Sequence, residues 1–184
     1  MFPSAKAAGF KLAFSQDSEA MQHILDDANI KKIILYRENV LSVWSSLEIA
    51  KRTGVFHVRQ SGGSSNKRSK NHEKHRVTID FNLRRFLKFM NSYEAAYKSV
   101  RENLNTRNQA YIEVNYADLF NGIAFPRLEK FLGLSHLFNR DRQHTLKINS
   151  ANPLDRFTNP EKVQESINII SKTEWLQPEL GRPK

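Results

Sequence analysis

Lys31-Lys-Ile-Ile-Leu-Tyr-Arg37-Glu-Asn39-Val-Leu-Ser-Val-Trp-Ser45-Ser-Leu-Glu-Ile-Ala50 is the stretch on which the reading of this fold turns. Residues 31–36 form a short apolar, partly β-branched run, the pattern of a parallel strand buried on both faces. Asn39 then offers a helix N-cap. Val40, Val43, Trp44, Leu47 and Ala50 recur at helical spacing, and Gly54, just past Arg52, is a stop. The segment therefore reads as a strand, a tight turn and a helix, which is half of a βαβ unit.

Working outward, residues 9–14 alternate in part and predict a short strand. Ser18 to Ala28 predicts a helix, with Ser18 able to cap it. Residues 61–76 contain no large apolar residue and read as a mobile basic surface insert. Val77 to Ile79 reads as a short extended piece. A long helix is expected from Asp80 or Asn82 to about Asn105, with Leu83, Phe86, Leu87, Met90, Tyr97, Val100 and Leu104 on its buried side. Ala110 to Asn115 reads as a strand and Phe125 to Leu132 as a helix ended by Gly133. A helix beginning at Asn159-Pro160 runs to about Ser171. Alternation of strands and helices favours an α/β fold, three-layered with a mostly parallel sheet, in one domain spanning 1–184. Such sheets bind ligands beyond the carboxyl ends of their strands, which points to Lys11–Ser15 and Arg37–Asn39.

The composition narrows the chemistry. The chain has 184 residues and no cysteine, which removes disulfides, thiolate metal sites and Cys nucleophiles. No apolar run approaches the ~20 residues of a membrane span, and Lys6 and Lys11 interrupt the order of a signal peptide. The expectation is a soluble, cytoplasmic chain. Of the formal charge of +10, the window Lys67–Lys88 carries +6, from eight Lys/Arg against Glu73 and Asp80. Such a patch suits a polyanion or a phosphorylated nucleotide, or is simply a solvated loop and helix face.

Arg37 emerges at the end of the central strand, and Ser45 lies two helical turns further on. A guanidinium fork suits a phosphate and a hydroxyl can add one bond. Both residues also have ordinary structural readings, as a salt-bridge partner and an incidental helix serine. His57, His72 and His75 have neither clustered carboxylates nor Cys beside them, so no metal site is expected. No nucleophile-elbow pattern surrounds any serine. Trp44 and Trp175 read as packing residues.

The segment 31–50 resembles the 3′-phosphate-binding strand and helix of sulfotransferases that use 3′-phosphoadenosine 5′-phosphosulfate (PAPS). In that family an Arg ends the strand, an Asn commonly stands two residues on and a Ser eight residues on, matched here by Arg37, Asn39 and Ser45. Residues 111–133, with Tyr116-Ala-Asp-Leu119 and Phe131-Leu-Gly133, resemble the family's later strand, turn and helix end, although Ala117 stands where Glu is usual. Residues 147–163 resemble the end of nodulation-type bacterial carbohydrate sulfotransferases. The resemblance implies a P-loop nucleotide hydrolase-like (sulfotransferase) fold. It implies PAPS as co-substrate, 3′-phosphoadenosine 5′-phosphate as product, and a carbohydrate-like or other hydroxyl acceptor. It also implies Arg37, Asn39 and Ser45 as nucleotide contacts, Lys147 and Arg156 as further candidates, and Lys11 as a group stabilising charge during transfer. The family's opening strand and its Gly/Ser/Thr-rich phosphosulfate loop have no counterpart in the eight residues before Gly9. The expectation is thus an N-terminally truncated or degenerate relative. Two alternatives stand beside the enzyme: a non-catalytic nucleotide- or glycan-binding fold, and a basic nucleic-acid-binding protein. The last lacks both interleaved aromatics and a helix-turn-helix signal.

Overall fold

The computed structural model describes residues 8–14, 16–56, 77–134 and 149–178. The chain is mixed α/β and mostly helical. In order it forms α1 (Ser18–Asp26), β1 (Lys32–Tyr36), α2 (Val40–Thr53), α3 (Leu83–Thr106), β2 (Tyr111–Asn115), α4 (Tyr116–Asn121), α5 (Phe125–Leu132) and α6 (Pro160–Ile169), with 3-10 turns at Pro153–Arg156 and Thr173–Leu176. Two compact units result, one from residues 1–36 and 92–139, the other from 37–91 and 140–184. The basic insert at 61–76 and His57, His72 and His75 lie outside the described residues.

In the first unit β1 and β2 pair in parallel, with Lys32 opposite Tyr111 and Tyr36 opposite Asn115. Alternation then divides the side chains between two faces. Ile34 packs with Leu25 and Leu104, against Met21, Tyr97, Val100 and Tyr111. Val114 on the other face packs with Ala124 and Leu128. The reading of β1 as buried on both faces is corrected: Ile33 and Leu35 are 43% and 39% exposed. The two helices that come next in the chain, α4 and α5, supply Leu119, Phe125 and Leu128 to the cluster about Val114.

The expected strand at 9–14 is also corrected. Residues 8–13 take no regular structure, and Phe10 is largely exposed. Alternation makes a strand only where a neighbouring backbone accepts the ladder, and β1 pairs with β2 instead. Phe14 packs edge-on against Tyr97, ring centroids 4.6 Å apart. The cap of α1 is Asp17, whose carboxylate accepts from Ala20 N at 2.9 Å, rather than Ser18.

Polar groups brace this unit. Lys32 is buried, and its ammonium donates to Asp27 O and Gln109 Oε1. Burial pushes that ammonium below its ordinary pKa, with Asp27 and Asp26 partly opposing. The Tyr97 hydroxyl donates to Leu35 O at 2.7 Å. Burial, and then its contact with Tyr93, pushes the Tyr97 phenol well above the usual tyrosine range. Arg101 clasps Glu113 with two bonds, at 2.8 and 2.7 Å.

The second unit is built around aromatic rings. Trp44 meets Phe81, Phe86 and Phe157 at centroid distances of 5.6, 5.5 and 6.0 Å. Trp175 closes edge-on over Phe86 at 6.2 Å. Such pairs add about 0.5–1.5 kcal/mol each beyond the area they bury. Val77 to Ile79 does contain an extended contact: Ile79 bridges to Phe157, with Ile79 N donating to Arg156 O and Thr158 N to Ile79 O. Both tryptophans are packing residues, as expected.

Candidate functional site

The sequence singles out the start of α2, and the local physics explains how it forms. Asn39 has φ −77° and ψ 86°, outside the helix, and its Oδ1 accepts from Ser42 N at 2.9 Å. Its Nδ2 donates to Trp175 O at 2.9 Å, so the cap residue also ties α2 to the C-terminal 3-10 turn. At the other end Gly54 takes φ 70°, a left-handed conformation glycine adopts without strain, and its N–H closes on Ala50 O. The first turn of α2 carries no acidic residue. Its amino end therefore presents a positive dipole terminus with no carboxylate in that turn to compete for it. Arg37 lies two residues before the cap, half-buried, where the chain leaves β1.

Ser42, Ser45 and Ser46 stand at i, i+3 and i+4 on α2, which puts their side chains on one face. Ser42 and Ser45 are both fully buried. Arg156 enters this face, itself only 2% exposed. Its Nη1 donates to Ser45 Oγ at 3.1 Å, Ser42 O at 3.2 Å and Ser46 Oγ at 3.4 Å. Its Nε and Nη2 both donate to Ser150 O, at 3.0 and 2.7 Å. The Ser45 hydroxyl donates in turn to Ser42 O at 3.3 Å. Asn149 Nδ2 adds a bond to Ser46 Oγ at 3.1 Å.

The turn carrying Arg156 is held by its own short-range bonds. Asn152 Oδ1 accepts from Leu154 N at 3.2 Å, and Asp155 accepts from Ser150 Oγ at 2.7 Å and Asn152 Nδ2 at 2.9 Å. The side chain of Arg156 is thereby aimed inward, where a guanidinium satisfies several acceptors at once. Among the described residues the buried Ser42 Oγ has no hydrogen-bond partner.

The predicted site residues thus fall into three groups. Ser45 and Arg156 touch each other, with Asn39 on the same helix one to two turns away. Arg37 precedes them on the chain. Lys11 is exposed and belongs to the other unit, and Lys147 lies outside the described residues. The sequence reading did not identify Ser42, Ser46, Asn149 and Ser150 as partners of Arg156. The one signal available was the Ser42, Ser45, Ser46 stripe on an otherwise apolar helix, since buried hydroxyls require a donor or acceptor nearby.

Among the described residues no group of three or more His, Cys, Asp or Glu could hold a metal, and no helix is long and apolar enough to cross a membrane. In comparison with known proteins, no family model, curated protein or solved structure matches this chain.

Proposed function

We propose that this chain is a sulfotransferase-type nucleotide-binding fold that takes PAPS as the donor of a sulfuryl group to a hydroxyl of a carbohydrate-like acceptor. The observation that supports this most directly is the junction itself. Along the chain Arg37 directly follows β1 and stands two residues before Asn39, the cap of the 14-residue helix α2. A phosphate there would meet a guanidinium, backbone N–H groups and the positive helix end together. In this reading Arg37 is the 3′-phosphate anchor. Ser45 and Arg156 act from behind it, as a buried brace that fixes the first two turns of α2. Sulfuryl transfer itself needs little more than positioning and fixed positive charge.

Calorimetric titration with 3′-phosphoadenosine 5′-phosphate tests the reading. The intact chain should bind with micromolar Kd, and Arg37→Ala should weaken binding about 30-fold, equivalent to about 2 kcal/mol for a charge-assisted phosphate contact. Absence of binding by the intact chain would remove the nucleotide, and with it the enzyme. A second reading, a non-catalytic nucleotide-binding module, is favoured by the sealing of the Ser45 hydroxyl against Arg156. Binding without transfer of labelled sulfuryl from PAPS to a panel of oligosaccharides would select it.

A further inference from the structure

In the unit that holds β1 and β2, an open cleft of about 650 Å³ lies at the amino ends of the two strands. That is the end of the sheet opposite to Arg37, since Lys31 immediately precedes β1 and Ala110 immediately precedes β2. Its walls are mainly apolar, formed by Ile30, Ile112 and Phe131, and three cations stand in them: Lys31, Arg127 and Lys130. Among the described residues no carboxylate lines it.

The cations are positioned rather than scattered. Arg127, Lys130 and Phe131 fall at i, i+3 and i+4 on α5, which puts them on one helix face, while Leu128 turns into the core. Lys31 Nζ donates to Phe131 O at 2.7 Å and lies 5.7 Å from the centroid of the Phe131 ring. Arg127 Nη2 reaches Glu113 O at 3.4 Å. These contacts use neutral carbonyls, and no ion pair between a carboxylate and any of the three cations occurs among the described residues. The open cleft thus offers an apolar and aromatic surface together with three cations in its walls, the two kinds of group that a small amphipathic anion can use.

We propose that this cleft binds a small organic anion with a flat apolar body, an aryl phosphate or aryl sulfate. The body lies along Ile30, Ile112 and Phe131, and the anionic group is met by Arg127 and Lys130, with Lys31 alongside. The inference does not rest on the nucleotide reading, because the residues are different and lie at the other end of β1.

The test is titration of the whole chain with 1-naphthyl phosphate, with 1-naphthol and inorganic phosphate as controls, followed by amide chemical shifts. Naphthyl phosphate should bind at least about tenfold more tightly than either control, because both the ring and the charge are recognised. Its shifts should centre on residues 28–31, 110–112 and 127–131. Arg127→Ala with Lys130→Ala, both exposed positions on α5, should weaken binding about tenfold or more, whereas Arg37→Ala should leave it unchanged. Equal affinity for inorganic phosphate, shifts centred elsewhere, or an unchanged Kd in the double variant would each overturn the proposal. Should the double variant lose its fold by circular dichroism, the shift map and the two controls on the intact chain still decide the matter.

Discussion

Arg156→Met keeps most of the side-chain volume and deletes every donor. At least the five bonds shorter than 3.5 Å that Arg156 makes to other described residues then disappear, but they do not weigh equally. Ser42 O retains the Ser45 hydroxyl as a donor, and Ser46 Oγ retains Asn149. Ser150 O loses both of the donors that reach it from Arg156, at 3.0 and 2.7 Å, beneath a residue that is 2% exposed. Loss of charge-assisted bonds to a carbonyl costs about 1.5–3 kcal/mol. Removing a buried charge returns part of that, as when buried ion pairs are replaced by apolar side chains. The return is incomplete here because the acceptors include backbone carbonyls that no substitution removes. The net expectation is a loss of about 2 kcal/mol, or a fall of about 1 M in the urea midpoint at a slope of about 2 kcal/mol per molar. Tryptophan fluorescence is the appropriate probe, since Trp44 and Trp175 are the only two tryptophans and both are buried in the unit that contains Arg156. An unchanged or raised midpoint would refute the reasoning, because it would mean that the guanidinium does not hold residues 150–156 against α2.

Two further outcomes follow from the polar braces. Asn39→Ala removes both the cap of α2 and the bond to Trp175 O, and should cost about 1–2 kcal/mol in the same fluorescence assay. Asn39→Asp keeps the cap oxygen and should lose less; equal losses would show that the cap contributes little. For Lys32, burial lowers the ammonium pKa in the folded state below the 10.5 of the unfolded chain. Between the two values the unfolded chain binds more protons, so stability rises with pH across that window, and well below it the group adds a constant penalty and no slope. Lys32→Met should abolish that alkaline rise in urea melts followed by far-ultraviolet circular dichroism. The same slope in both proteins would exclude Lys32 as its source.

Much of the local structure was legible because it depends on short-range rules. The Asn39 cap, the apolar spacing from Val40 and the Gly54 stop mark α2 at the boundaries the structure has. Gly133 likewise ends α5 with φ 71°. The strand at 110–115 and the long helix from the region of Asn82 were read within a residue or two. The alternating segment at 9–14 misled, since alternation says which face a strand would bury and nothing about whether a neighbouring strand is present. The exposure of Ile33 and Leu35 was hidden for the same reason: an apolar run looks alike whether one or both of its faces are covered.

The sequence alone determined β1, α2, the long helix, β2 and α5, the Asn39 cap, the Gly54 and Gly133 stops, the absence of thiol chemistry and the basic balance, because each follows from a residue type or a spacing of a few positions. Tertiary structure alone decided where Arg156 goes. It lies 111 residues from Ser45, and on composition it could have been any solvated arginine. Only the packing of the 153–156 turn against the serine face of α2 makes it a buried brace, since burial and hydrogen-bond partners depend on which distant segments meet.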